Sequence, residues 1–185
     1  MLTKLKKATE DLHREIEKEN LAARIVSNEI SLEEYKLLLL QNYIAYAVTE
    51  PSIAKYLDHY EIQKTPRLLG DLEQLGVACT IPVRVRETFR VVNRAEALGA
   101  AYVVEGSALG GMLIAKEIKN CSSLDEIKDH HFFNGDRDNV KSWNAFSKFI
   151  KKQEFTPLEE IHAIDKAKET FIFFGEVFRT TKLAD

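Results

Sequence analysis

Cysteine, proline and glycine are all scarce in this chain, and positive charge is not in excess. Two cysteines in 185 residues, Cys79 and Cys121, make neither a framework pattern nor a C-x-x-C pair. A disulfide-stapled secreted scaffold is thereby excluded, and a reducing cytoplasm is expected. Four prolines and eight glycines leave most of the chain free to be helical. A net charge of -3 provides no basic field for nucleic acid or an anionic membrane. The longest aliphatic run, Leu37 to Leu40, is far too short for a membrane span. The opening Met1-Leu2-Thr3-Lys4-Leu5-Lys6-Lys7 has no apolar signal core, so export is not expected. Signatures of common chemistries are missing too. Neither H-E-x-x-H, G-x-G-x-x-G, a P-loop nor G-x-S-x-G occurs, and no paired E-x-x-H motifs suggest a di-iron bundle.

What is present is helical periodicity. Leu2, Leu5, Leu12 and Ile16 form the apolar stripe of a helix over residues 3–18. Ser31-Leu32-Glu33-Glu34 has the capping-box pattern and opens a second helix, predicted to run to about Thr49. Pro51 kinks or interrupts it before a continuation to about Leu57, and Tyr43, Tyr46 and Ala47 lie on its core face. Thr65-Pro66 reads as a cap followed by proline at the first helical position, with Gly76 closing that helix. Val77 to Val85 reads as a connection, and a further helical pattern from near Arg86 meets a glycine-bearing helix at Gly99. Ser122 to Lys128 is a short helix at most, and His130 to Asp136 a loop whose adjacent histidines serve surface or loop packing. Asn139 to Lys152 turns Trp143, Phe146, Phe149 and Ile150 inward. Thr156-Pro157-Leu158-Glu159 opens the last helix, where Phe171, Phe174 and Phe178 share a face expected to be core. No strand alternation, repeat or linker interrupts this pattern. The expectation is an all-α protein, one domain over residues 1–185, with about seven helices in a layered bundle.

Two stretches depart from plain packing. The helix around Tyr102 carries Gly106, Gly110 and Gly111 in its middle. Each glycine costs roughly 1 kcal/mol against alanine there. Gly106 and Gly110 are four apart and stack into a trough of bare backbone. Such a trough suits a flat ligand, a closely packed helix or a kink. The adjacent Gly111 favours the ligand, since a packing seam does not need two neighbouring glycines. On the first helix Lys6, Thr9, His13 and Glu17 are spaced three, four and four, so they lie nearly above one another beside the apolar stripe. Two readings of His13 stand: an exposed histidine beside a solvated charge row, or an axial metal ligand. In the second, Glu17 is within reach of its other N–H.

An early histidine helix followed by a late glycine helix resembles the haem oxygenases. Leu5-Lys6-Lys7-Ala8-Thr9-Glu10-Asp11-Leu12-His13 is similar to that family's proximal-helix motif. Glu105-Gly106-Ser107-Ala108-Leu109-Gly110-Gly111 is similar to its distal-helix motif, most of all in the bacterial biliverdin-forming branch. Thr156-Pro157 and Ala167-Lys168-Glu169-Thr170-Phe171 resemble the family's last helix. The resemblance implies haem b as both substrate and cofactor, held between a proximal and a glycine-kinked distal helix. It implies cleavage to biliverdin, CO and ferrous iron, with O₂ and electrons from a ferredoxin or an NAD(P)H-dependent reductase. By position, His13 would be the axial ligand and Glu17 its partner. Lys6 and Tyr102 would hold propionates, Thr9 would belong to the proximal motif, and Gly106, Ser107, Gly110 and Gly111 would form the distal wall. The animal-type aspartate after the first distal glycine is here Ser107. A further basic propionate contact falls by spacing near Ser147 and Lys148. Two other readings of the bundle are a non-enzymatic haem carrier or sensor and a thiamin-salvage type of enzyme. The latter wants a pocket cysteine, whereas Cys79 and Cys121 fall in or beside predicted connections.

Overall fold

Eight α-helices and no strand make up the described residues, 1–183 without the side chains of residues 138 and 139, of the computed structural model. In order they are α1 (Leu2–Glu19), α2 (Ala22–Val26), α3 (Leu32–Ala54), α4 (Lys64–Gln74), α5 (Val83–Thr88), α6 (Arg94–Glu117), α7 (Arg137–Lys151) and α8 (Pro157–Thr180). Single 3₁₀ turns at Ile118–Asn120 and Ser122–Leu124 follow α6. The short α2 was not anticipated, since five residues carry too little periodicity to register, and α5 begins at Val83, inside the stretch read as a connection. α6 is the central element: it packs along α8 and against α3 and α7, while α1 lies on α8.

The capping signals act as expected at α3 and α8. The Ser31 hydroxyl accepts the Glu34 N–H at 3.2 Å while the Glu34 carboxylate accepts the Ser31 N–H at 2.9 Å, and Thr156 and Glu159 repeat the pattern. Pro51 does not interrupt α3. The helix continues to Ala54 and buries Ile53 completely. So near its end, proline removes only one intrahelical bond, and tertiary burial outweighs that loss.

The start of α4 differs from expectation. Thr65 is not the cap, because the helix begins at Lys64. The cap comes from α3: the fully buried Glu50 carboxylate accepts the N–H groups of Gln63, Lys64 and Thr65 at 3.1, 3.0 and 2.8 Å. The Thr65 hydroxyl adds a fourth bond at 2.6 Å. A carboxylate at a helix N-terminus satisfies orphan donors and meets the positive end of the dipole. Gly76 closes α4 as expected, at φ +67°, with Val77 N–H returning to the Leu72 carbonyl at 2.9 Å.

The helical pattern near Arg86 does not run into α6. Asn93 starts α6 afresh by accepting the Glu96 N–H at 2.9 Å, and Glu96 accepts the Val92 N–H at 3.0 Å. Where α6 crosses α8, a Cβ on Gly99 would lie 2.0 Å from the Ala163 carbonyl oxygen, so a close helix seam does exist in this bundle, at Gly99. By length and composition Arg94–Asn120 could cross a bilayer, yet here half of its most apolar stretch is buried as a core helix. On α7, Ile150 is buried and Trp143 and Phe146 are partly so, but Phe149 is exposed rather than inward. The Arg94 guanidinium covers its ring at 5.7 Å, an arrangement that stabilises an aromatic without burying it.

Candidate functional site

One cavity of about 950 Å³ opens between α1 and α6, floored by α8 and walled by α3, α4, α7 and the loop before α7. Every residue singled out on α1 lines it: Lys6, Thr9, His13 and Glu17. So do Tyr102, Gly106, Ser107, Gly110 and Gly111 on α6. The two suspect stretches, about ninety positions apart in sequence, therefore face one space.

On the α1 side, Thr9 is 2% exposed and its hydroxyl donates back to the Leu5 carbonyl at 2.9 Å. His13 is held loosely. Its Nδ1 lies 3.5 Å from the Glu17 carboxylate, and its ring stands edge-on to Phe171 with centroids 5.6 Å apart. With Nδ1 turned to Glu17, Nε2 is the nitrogen left for a ligand. Its side chain is 55% exposed and lines the cavity. Four cations line the space: Lys6, Arg14, Lys64 and Arg67. Arg14 is bound to Glu10 at 2.6 Å and Lys64 to Glu105 at 3.0 Å, whereas Lys6 has no carboxylate partner among the described residues.

On the α6 side, the glycines are not a helix seam. A Cβ on Gly110 or Gly111 would meet nothing within 4 Å, and one on Gly106 would only touch Trp143 at 3.7 Å. Bare backbone here faces open space. Beside it, Leu109 and Leu113 line the cavity at 53% and 51% exposure. Apolar side chains left this bare around a hollow mark a binding surface that the chain alone does not cover. The Ser107 hydroxyl donates to the Val104 carbonyl at 2.8 Å. Tyr46 sits beside it, and burial raises its phenol pKa well above the ordinary value, with the Ser107 hydroxyl acting in the opposite sense. Burial likewise raises the pKa of Tyr102, which leans on Trp143 with centroids 5.9 Å apart.

This space suits a flat, largely apolar, anionic ligand with a metal at its centre. The His13 imidazole stands on one face, a wall without side chains on the other, and beside them the Lys6 ammonium, which has no carboxylate partner among the described residues. Phe171, Phe174 and Phe178 were expected to be core; they are buried, and their inner edges are also the cavity floor. Periodicity identifies the shared face but not that it ends at a hollow. Ser147 and Lys148 are not among the lining residues; Lys64 and Arg67 of α4 supply cations there instead. Sequence spacing from α8 could not reveal this, because α4 reaches the cavity only through the fold.

Comparison with known proteins gives the same answer. No curated protein matches the sequence. The fold is similar to the NO- and CO-bound haem oxygenase of Neisseria meningitidis, with TM-score 0.73 at 22% identity, covering 100% of this chain and 96% of that one. It is also similar to haem oxygenase-1 of the cyanobacterium Synechocystis in complex with haem, with TM-score 0.72 at 17% identity, covering 96% of this chain and 90% of that one. The family model described as "Heme oxygenase" matches residues 1–180. With that match along nearly its whole length, the chain belongs to the haem oxygenase family and is a haem-degrading enzyme.

Proposed function

We propose that this chain, as one haem-oxygenase-like domain, cleaves haem b to biliverdin, CO and ferrous iron at the cavity between α1 and α6. The observation that carries the reading is the pairing of His13, with Nε2 free, and the open Cβ positions of Gly110 and Gly111 in one space. Bound haem supplies both the O₂-activating iron and the ring that is cut. The chain supplies position, polarity and exclusion of bulk water.

His13 would hold the haem iron through its ring nitrogen. Glu17, at 3.5 Å from Nδ1, selects the tautomer that leaves Nε2 unprotonated and steadies the ring. Thr9 ties its own hydroxyl to backbone, so that turn of α1 presents no competing donor. Gly106, Gly110 and Gly111 present no side chains to the cavity and would leave room for O₂. Ser107 keeps its proton on the Val104 carbonyl and offers only lone pairs to water or ligand. Lys6 and Tyr102 would bind the haem propionates. Electrons come from a ferredoxin or an NAD(P)H-dependent reductase. The free thiols of Cys79 and Cys121 fit a cytoplasmic setting.

Turnover tests this reading. Ferric haem complex given O₂ and ascorbate or a reductase should lose its Soret band and gain biliverdin absorbance. Stable cycling between ferric and oxygenated forms, with no bilin released, would make the protein a carrier. Lys6 supplies a second measurement. Exposed charge pairs are weak, so Lys6→Ala should reduce haem affinity by about 1 kcal/mol, roughly fivefold in Kd, or change the biliverdin isomer ratio. Wild-type values for both would remove Lys6 from the site.

A further inference from the structure

The site as described leaves one buried ion pair unexplained. Glu105 is 8% exposed, immediately before Gly106 on α6, and its Oε1 accepts from the Lys64 ammonium at 3.0 Å and the Tyr60 hydroxyl at 3.2 Å. Burial, and then the Glu105 charge, raise the Tyr60 pKa well above its ordinary value, so this phenol stays protonated and donates. Lys64 is itself mostly buried, with 15% of its side chain exposed, yet it lines the cavity. An ion pair this deep is costly to desolvate, and well-packed apolar residues often serve stability as well. Stability alone is therefore a weak reason for its presence.

Two neighbouring polar side chains already donate to backbone. Ser107 donates to Val104, and the Asn42 amide donates to the Leu38 carbonyl at 2.8 Å. The Tyr46 ring centroid lies 6.0 Å from the Lys64 ammonium, and the Ser107 hydroxyl beside its phenol partly offsets the rise in pKa caused by burial. An ammonium carries three donors, and Glu105 takes one. Among the described residues, the charged and titratable groups around Lys64 include Tyr46 and Glu50 from α3, Tyr60 from the connection before α4, Arg67 from α4 and Glu105 from α6.

We propose that Lys64, fixed by Glu105 and Tyr60, is a positioning residue that sets a positive charge and spare N–H donors on the Ser107 side of the cavity, favouring anionic over neutral ligands there. The inference rests on the haem placement proposed above.

The test is a spectral pH titration of the ferric haem-loaded protein, following the change of iron-bound water to hydroxide. Lys64→Gln removes a cation, so the midpoint should move up by about half to one pH unit. Glu105→Gln leaves the ammonium uncompensated, so the midpoint should move down by a similar amount. The double variant should stay above the wild-type value, by less than Lys64→Gln alone, because Lys64 and not Glu105 lines the cavity, and Lys64→Arg should hold the wild-type midpoint. Should Lys64→Gln fail to fold, the downward shift in Glu105→Gln carries the test alone. Lower melting temperatures with unmoved midpoints, or shifts in one common direction, would make the pair structural and overturn the inference. A changed isomer ratio without a midpoint shift would make Lys64 a propionate seat and overturn it equally. A wild-type spectrum indifferent to His13→Ala would instead remove the haem placement, and this inference with it.

Discussion

Gly110→Leu is expected to leave the apo-protein as stable as wild type while haem binding or O₂ activation collapses. Leucine is a better helix former than glycine by roughly 0.5–1 kcal/mol. No atom stands within 4 Å of the new Cβ, so the folded chain has room for it. The side chain would then lie in the space proposed for haem and its gas ligand. Gly99→Ala is the control with opposite sign. Its single methyl would come within 2.0 Å of the Ala163 carbonyl oxygen, so α6 and α8 must move apart. Overpacking of this kind typically costs about 1–3 kcal/mol or more. Thermal melts of both apo-variants with haem titrations read the two effects separately. A Gly110→Leu protein that melts lower yet binds and cleaves haem normally would show that the cavity wall lies elsewhere.

His13→Ala should lose the six-coordinate histidine–water spectrum and with it turnover, at little cost to the fold. The imidazole is half exposed, and its contacts are one long approach to Glu17 and one ring edge on Phe171. Removing them should change stability by about 0.5 kcal/mol, as for a surface substitution. The space left is open to solvent, so free imidazole added to the variant should enter it and restore the ligated spectrum. Unchanged Soret position and ligation in His13→Ala would assign the axial role to another residue. Glu17→Gln is the gentler companion: it retains the side-chain shape and removes the carboxylate that lies 3.5 Å from Nδ1.

Sequence periodicity was informative where local rules govern. The stripe of α1, the Ser31 and Thr156 capping boxes and the Gly76 terminus each depend on residues within one or two turns. The Lys6–Thr9–His13–Glu17 line survived for the same reason: helical geometry alone aligns it. Failures came where a distant part of the chain decides. Thr65 looks like a cap until Glu50 arrives from α3. Pro51 looks like a stop until burial of Ile53 is counted. Phe149 scores as apolar and inward, yet Arg94 makes its exposed position tolerable. The Lys64–Glu105–Tyr60 group joins three separate segments, and no spacing rule connects them. The glycines show the division most clearly. Composition marks Gly99 and Gly110 alike, and only the fold shows that one meets a backbone and the other a void.

The buried Glu50 carboxylate also decides how the back of the cavity breathes. Residues 55–63 link α3 to α4, but the register of α4 is fixed by a side chain at the end of α3 and not by that link. Loop length itself carries a small entropic penalty, so this connection is free to vary while Lys64 stays where it is. The last turn of α3 and the first of α4 must in turn open as a unit, since parting them strands a carboxylate and its amides without water. Slow exchange with solvent at Gln63, Lys64 and Thr65 would be the trace of that joint opening, in a stretch that by position alone should fray.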